Sequence, residues 1–303
     1  MKRNPFSYII ILALFAIMWY IAGWSTDNWD WIPYELIYTD SGDVSVLTSL
    51  DIGYVYLNRL IASQGFSFMQ FRQIVYFCFL AFILIITIKY SKRPVLTTII
   101  YFVILFFRDA ILTRNSLAVI FITIAVLCYI SQSIKHRTCL FIFFWLISCT
   151  FHLSFLLYGV LLLSNTKITF KTVFIVTLAL AFLGKSILSN IMGLQFFLGL
   201  SSLQDKADGY LSSVSYISLT ICTITIVYNY FVVNRFVRFN SNYLELDLAR
   251  YERINLFLLP VLIFTTVDME FSRLFYNFFF VNYIILSNIR KVNKLPTSHH
   301  LFF

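Results

Sequence analysis

The chain has 303 residues, of which 60% are hydrophobic, 19% aromatic and 12% charged, with a formal net charge of +9 and a mean hydropathy of +0.82. A water-soluble domain of this length has no use for so apolar a sequence, and apolar runs of ~17–25 residues, the length that crosses a bilayer, recur throughout. The composition excludes a separate soluble domain and predicts an all-α, polytopic integral membrane protein of about ten transmembrane helices, one transmembrane domain over residues 1–303.

The first element, "MKRNPFSYIIILALFAIMWYIAG", has a basic start and a long apolar run with no small-residue cleavage site after it, so it reads as an uncleaved span. In chain order the expected spans are 7–23, 71–88, 94–107, 115–134, 138–151, 153–163, 172–187, 214–233, 254–267 and 274–289. The fifth and sixth are short for full spans and suggest a tight hairpin or a re-entrant pair. The loops at the end opposite the N-terminus are 24–70, 188–213 and 268–273. In the first of these, Trp24, Trp29 and Trp31 read either as an interfacial aromatic belt or as a sugar-stacking surface.

Charge tests this layout. The side of the N-terminus receives 16 of the 23 basic residues and three acids, a net +13; the other side receives seven basic residues and eleven acids, a net −4. Positive charge marks the cytoplasmic side, so both termini are expected inside. Topology accounts for the net basicity, and no nucleic-acid partner is needed. All five cysteines (Cys78, Cys128, Cys139, Cys149 and Cys222) fall in apolar segments without a C-x-x-C pair, as small hydrophobes do. The sequence contains no metal-ligand motif and no glycine-rich phosphate loop, so neither a metal nor a nucleotide cofactor is expected.

Three constellations at the outer side can carry chemistry. "LFFRDAILTRNSLA" sets Arg108, Asp109 and Arg114 between two apolar runs. Six residues put Arg108 and Arg114 about 120° apart on one helix; a turn between them would let both guanidiniums meet one phosphate or pyrophosphate, which arginine holds bidentately. The competing reading is an Arg108–Asp109 surface pair or snorkelling to headgroups. "CTFHLSF" contains His152, the histidine of the apolar region, either a general base or donor to a leaving phosphate, or a side chain satisfied by Ser148 or Ser154. "DMEFSRLFYNFFF" groups Asp268, Glu270 and Arg273, where Arg273 joins the other arginines and an acid orients it or acts as base, or where a local ion pair forms.

At these residues the chain resembles a known family. The run "RDAILTRNSLAVIFITIAVLCYISQSIKHRTCLFIFFWLISCTFHLSFLLYG" is similar to the core of the EpsG/Wzy-type polysaccharide polymerases, with an arginine-bearing outer turn, a helix with small residues, a basic cytoplasmic turn, a second helix and then F-H-x-S. "DIGYVYLNRLIASQGFSF" resembles the family's acid–Gly–Tyr segment, with Asp51 where a glutamate is common, and "SRLFYNF", which reads Arg-Leu-x-Tyr, resembles its late arginine–leucine–tyrosine segment. The resemblance implies a GT-C-like glycosyltransferase at the outer face of the bacterial cytoplasmic membrane. Such an enzyme transfers a growing undecaprenyl-pyrophosphate-linked glycan onto a new lipid-linked repeat unit. It further implies that Arg108, Arg114, Arg273 and Asp268 bind substrate, that His152, Asp51 or Glu270 supplies the base, and that a polysaccharide chain-length regulator is a partner. Two other classes compete. A membrane acyltransferase would be expected to carry a histidine in its first spans, and the first 130 residues hold none. A lipid-linked oligosaccharide flippase would be expected to show repeats and broken helices at mid-membrane.

Overall fold

The computed structural model describes residues 5–26, 28, 30–40, 51–166, 168–169, 172–173, 175–176, 220, 224, 247–261 and 272–287. Among them every extended element is a helix and none is a strand. Helices α1 (Pro5–Trp24), α4 (Phe68–Tyr90) and α7 (Thr113–Ile130) are each long and apolar enough to cross a membrane. They are not equivalent: 72% of the apolar window of α7 is buried inside the protein against 22% of that of α1, so α7 is central and α1 peripheral.

The expected third span is a broken rod. It runs from α5 (Pro94–Tyr101) through a π-helical stretch, Phe102–Phe106, into the single turn α6 (Phe107–Asp109). A π turn carries an extra residue and so rotates whatever follows it, here Arg108 and Asp109. The segments expected as the short fifth and sixth spans form a hairpin that breaks at His152. Its first arm is α8 (Arg137–Phe151), and its second is a 3₁₀ helix, Leu153–Asn165. At ~2.0 Å per residue the second arm reaches about 26 Å, so thirteen residues approach the ~30 Å of a hydrocarbon core. The arms close on each other through Trp145, whose Nε1–H donates to the Phe155 carbonyl at 2.8 Å. Its ring fills the place where a side chain on Gly159 would stand.

Segment 24–70 is more structured than a connecting loop. It contains α2 (Trp31–Thr39) and α3 (Ile52–Ala62), which bury Tyr34, Tyr38 and Tyr54 against Phe68, Phe71, Val75 and Leu117. Trp31 lies edge-on to Phe68 and under the Arg72 guanidinium, so it is a packing residue. Trp24 is half exposed, stacked on Tyr20; Trp29 lies outside the described residues.

The last described helices are α9 (Leu248–Leu258) and α10 (Arg273–Ser287). Among the described residues, polar helix ends sort into two groups. At one end Ser91 meets Thr97 and Ser287, Asp247 meets Ile130, Arg137 and Arg250, and Arg253 donates to the Thr166 carbonyl. The other end gathers the last turn of α1, the first turns of α4, α7 and α10, residues 108–113 and His152. All but a few residues of the expected spans 172–187 and 214–233, and all of loop 188–213 and of residues 262–271 with Asp268 and Glu270, lie outside the described residues.

Candidate functional site

Two polar clusters stand at the second of these ends. The first is built on the turn between α6 and α7. Asp109 is its hub, 5% exposed. Its carboxylate accepts from Tyr101 at 3.1 Å and from Arg108 at 3.3 Å, and its carbonyl accepts from Tyr76 and Ser116. Arg108 also donates to Asn277 Oδ1 at 3.3 Å and lies 4.6 Å over the Tyr276 ring. The Arg108–Asp109 pair of the competing reading therefore exists, but Asp109 is built into the packing and the pair is not a surface contact. Arg108 Nε and Nη1 have no hydrogen-bond partner.

The second cluster joins three chain segments. Asp51 precedes α3, Arg114 stands in the first turn of α7, and His152 caps α8. One Asp51 oxygen accepts from Arg114 Nη1 at 3.1 Å and faces His152 Nδ1 at 3.4 Å. The other accepts the Leu153 backbone N–H at 2.9 Å. That N–H is available because His152 is extended (φ −156°, ψ 109°) and interrupts the helical ladder. Ser148, offered by the sequence as a partner of His152, donates to Trp145 instead, and Ser154 Oγ is unpartnered.

Gly53 brings Asp51 this close. A Cβ there would stand 2.5 Å from Thr150 Oγ1 and 3.0 Å from the Thr150 carbonyl, so any side chain would push α3 off the end of α8. The next residue, Tyr54, is fully buried and anchors α3 from its other side. These contacts give the Asp-x-Gly-Tyr spacing its physical sense.

Burial alone would raise the Asp51 carboxyl, but the His152 hydrogen bond and charge, with Arg114 and the Leu153 N–H, hold it below the usual aspartate range. Burial pushes His152 below the ordinary histidine value, and the Asp51 contact only partly opposes it; the charges of Arg114 and Arg273 add to the depression. The pair at neutral pH is a carboxylate and a neutral imidazole. A carboxylate only accepts, so the imidazole proton sits on Nδ1 and the lone pair on Nε2.

The two clusters are connected. Asn115 and Asn277 exchange amide hydrogen bonds, each 3.2 Å, and Asn277 also donates to Tyr158, whose hydroxyl donates to the Leu274 carbonyl. Arg108 donates into this amide pair, Arg114 precedes Asn115 in the chain, and Arg273, at the start of α10, acts electrostatically on His152. Of the sequence-predicted site residues, Asp51, Arg108, Arg114, His152 and Arg273 come together at one end; Asp268 and Glu270 lie outside the described residues. Sequence reasoning missed Asn115, Asn277, Tyr34, whose ring lies 5.3 Å from the Arg114 guanidinium carbon, and Arg72. The two asparagines, polar within apolar runs, were the available signal.

No curated protein and no solved structure matches the chain. An arginine-bearing turn, an acid–Gly–Tyr segment and an F-H-x-S break meet at one end of an apolar helical bundle, and the EpsG family profile matches residues 8–303; the chain belongs to the EpsG family, a family of Wzy-like polysaccharide polymerases.

Proposed function

We propose that this membrane protein is the polymerase that joins lipid-linked glycan repeat units at the outer face of the bacterial cytoplasmic membrane. The donor is the growing chain on undecaprenyl pyrophosphate, and the acceptor is the terminal sugar of a new lipid-linked unit. The observation that carries the reading is the pairing of half-buried arginines that hold spare donors with a neutral, carboxylate-oriented histidine.

The step balances with these groups. The acceptor hydroxyl oxygen bonds to the donor's anomeric carbon, and the bond from that carbon to the pyrophosphate oxygen breaks. The hydroxyl proton passes to His152 Nε2. The bonding electrons leave on undecaprenyl pyrophosphate, whose growing negative charge meets the guanidiniums of Arg108, Arg114 and Arg273. Asp51 accepts from three donors already, so its role is to fix the imidazole and to stabilise it once protonated. Asp268 and Glu270 remain proposed neighbours of Arg273. A chain-length regulator is a proposed partner.

Cells lacking the protein test the assignment. Surface glycan should persist as single repeat units on lipid. Absence of any repeat unit at the surface would identify a flippase instead and overturn the proposal.

A further inference from the structure

Arg72 has no part in the mechanism above, yet among the described residues it is the largest fully buried side chain. No ion pair involves it among the described residues. Its Nη2 donates to the Ala22 carbonyl at 2.9 Å and the Ala110 carbonyl at 3.3 Å, its Nη1 to Thr113 Oγ1 at 3.4 Å. The guanidinium lies 5.2 Å from both the Trp31 and Tyr76 rings.

Those acceptors explain how a buried cation is tolerated without an acid. Ala22 lies in the last turn of α1, and Ala110 caps the rod that ends in α6. Carbonyls at helix C-termini lack intrahelical donors and carry the negative end of the helix dipole. Arg72 therefore faces two negative helix ends and two aromatic faces at once. Its own position is set by the Ser67–Gln70 capping box, which fixes where α4 begins. Four residues on, and so on the same face, Tyr76 donates to the Asp109 carbonyl and meets Thr113. The turn has only short internal bonds, from the Ile111 and Leu112 N–H groups to Arg108 and from Thr113 to Ile111. Of its outward carbonyls, that of Ala110 is held by Arg72, and that of Asp109 is shared between Tyr76 of α4 and Ser116 of α7.

We infer that Arg72 is a positioning residue that sets, from behind the site, the turn on which Arg108 and Arg114 stand, and so tunes how both arginines meet a pyrophosphate. This rests on the reading that those arginines bind pyrophosphate. A side chain needed only to fill space here would do as well without charge; Arg72 instead gives its three bonds to the two helix ends and the turn.

The test uses the full-length protein in lipid nanodiscs with inorganic pyrophosphate as probe, alongside hydrogen–deuterium exchange. Arg72→Met should weaken pyrophosphate binding by about tenfold or more and speed exchange at residues 108–113, with α7 and α8 still protected. Arg72→Lys should recover part of both effects. Tyr76→Phe, which leaves the cation in place, should give a smaller change in the same direction and serves if Arg72→Met does not fold. Wild-type affinity and wild-type exchange in these variants would overturn the inference. If the wild-type protein binds no pyrophosphate, the anion-site reading fails, and exchange at 108–113 alone then decides for or against Arg72.

Discussion

A histidine with Nδ1–H given to a carboxylate is a base only while Nε2 is unprotonated, and burial keeps His152 in that state below the ordinary value of about 6.5. Turnover should therefore hold through neutral pH and fall as the pH drops through the depressed His152 pKa. Arg114→Gln removes a positive neighbour that disfavours the imidazolium. Alongside its loss of rate, it should move the acidic limb of the pH–rate profile to higher pH; an unmoved limb would show that the titrating group is not His152. His152→Gln should lower turnover by ~10²–10⁴-fold, the usual worth of a general base, with lipid-linked substrate still bound. The residues Asp51, Arg114 and His152 were legible in sequence as charged or titratable groups at an apolar boundary. Their meeting was not, because Asp51 and the His152 break are about a hundred residues apart and no local pattern encodes such a pairing. The same limit hid Arg72, which in sequence is one more arginine near the start of a span.

Helices α3 and α10 reach the site by different means, and each can be tested. Helix α3 docks by close approach: Gly53→Ala puts a methyl group on Thr150, and overpacking of this kind costs about 1–3 kcal/mol. Thermal stability and turnover should both fall. Adding Thr150→Ala should restore them only in part, because the Thr150 Cβ and carbonyl remain 3.0 Å away. Helix α10 docks by its amide. Removing one partner with Asn277→Leu leaves Asn115 buried and unsatisfied, at a cost of about 1–3 kcal/mol, while Asn115→Leu with Asn277→Leu should lose less than the sum of the singles. Losses that add would show that the pair does not hold α10 to α7. Periodicity and length located α1, α4 and α7 to within a few residues. They did not foresee α2 and α3 within 24–70, because short amphipathic helices there carry no span-length signal. Nor did they foresee that the segment expected as the sixth span, Leu153–Asn165, is extended by adopting 3₁₀ geometry.

Among the described residues, the polar helix ends divide between two ends of the bundle. The sequence leads one to expect an excess of basic residues on the cytoplasmic side, and among the described residues helix ends gather into an Asp247–Arg137–Arg250 group and an Asp51–Arg114–His152 group. A reporter fused after residue 45 should be active only when the assay reads the outer compartment; activity in the cytoplasm would invert the layout. The most direct test of the proposed polymerase is made with purified protein in liposomes, supplied with lipid-linked repeat units from cells that lack it. Polymer and released polyprenyl pyrophosphate are measured together. The predicted result is one pyrophosphate-bearing lipid released for each new glycosidic linkage, with both signals lost together in His152→Gln and in Arg108→Ala at matched protein levels. Polymer formed at the wild-type rate by either variant, or linkages formed without release of the lipid, would contradict it.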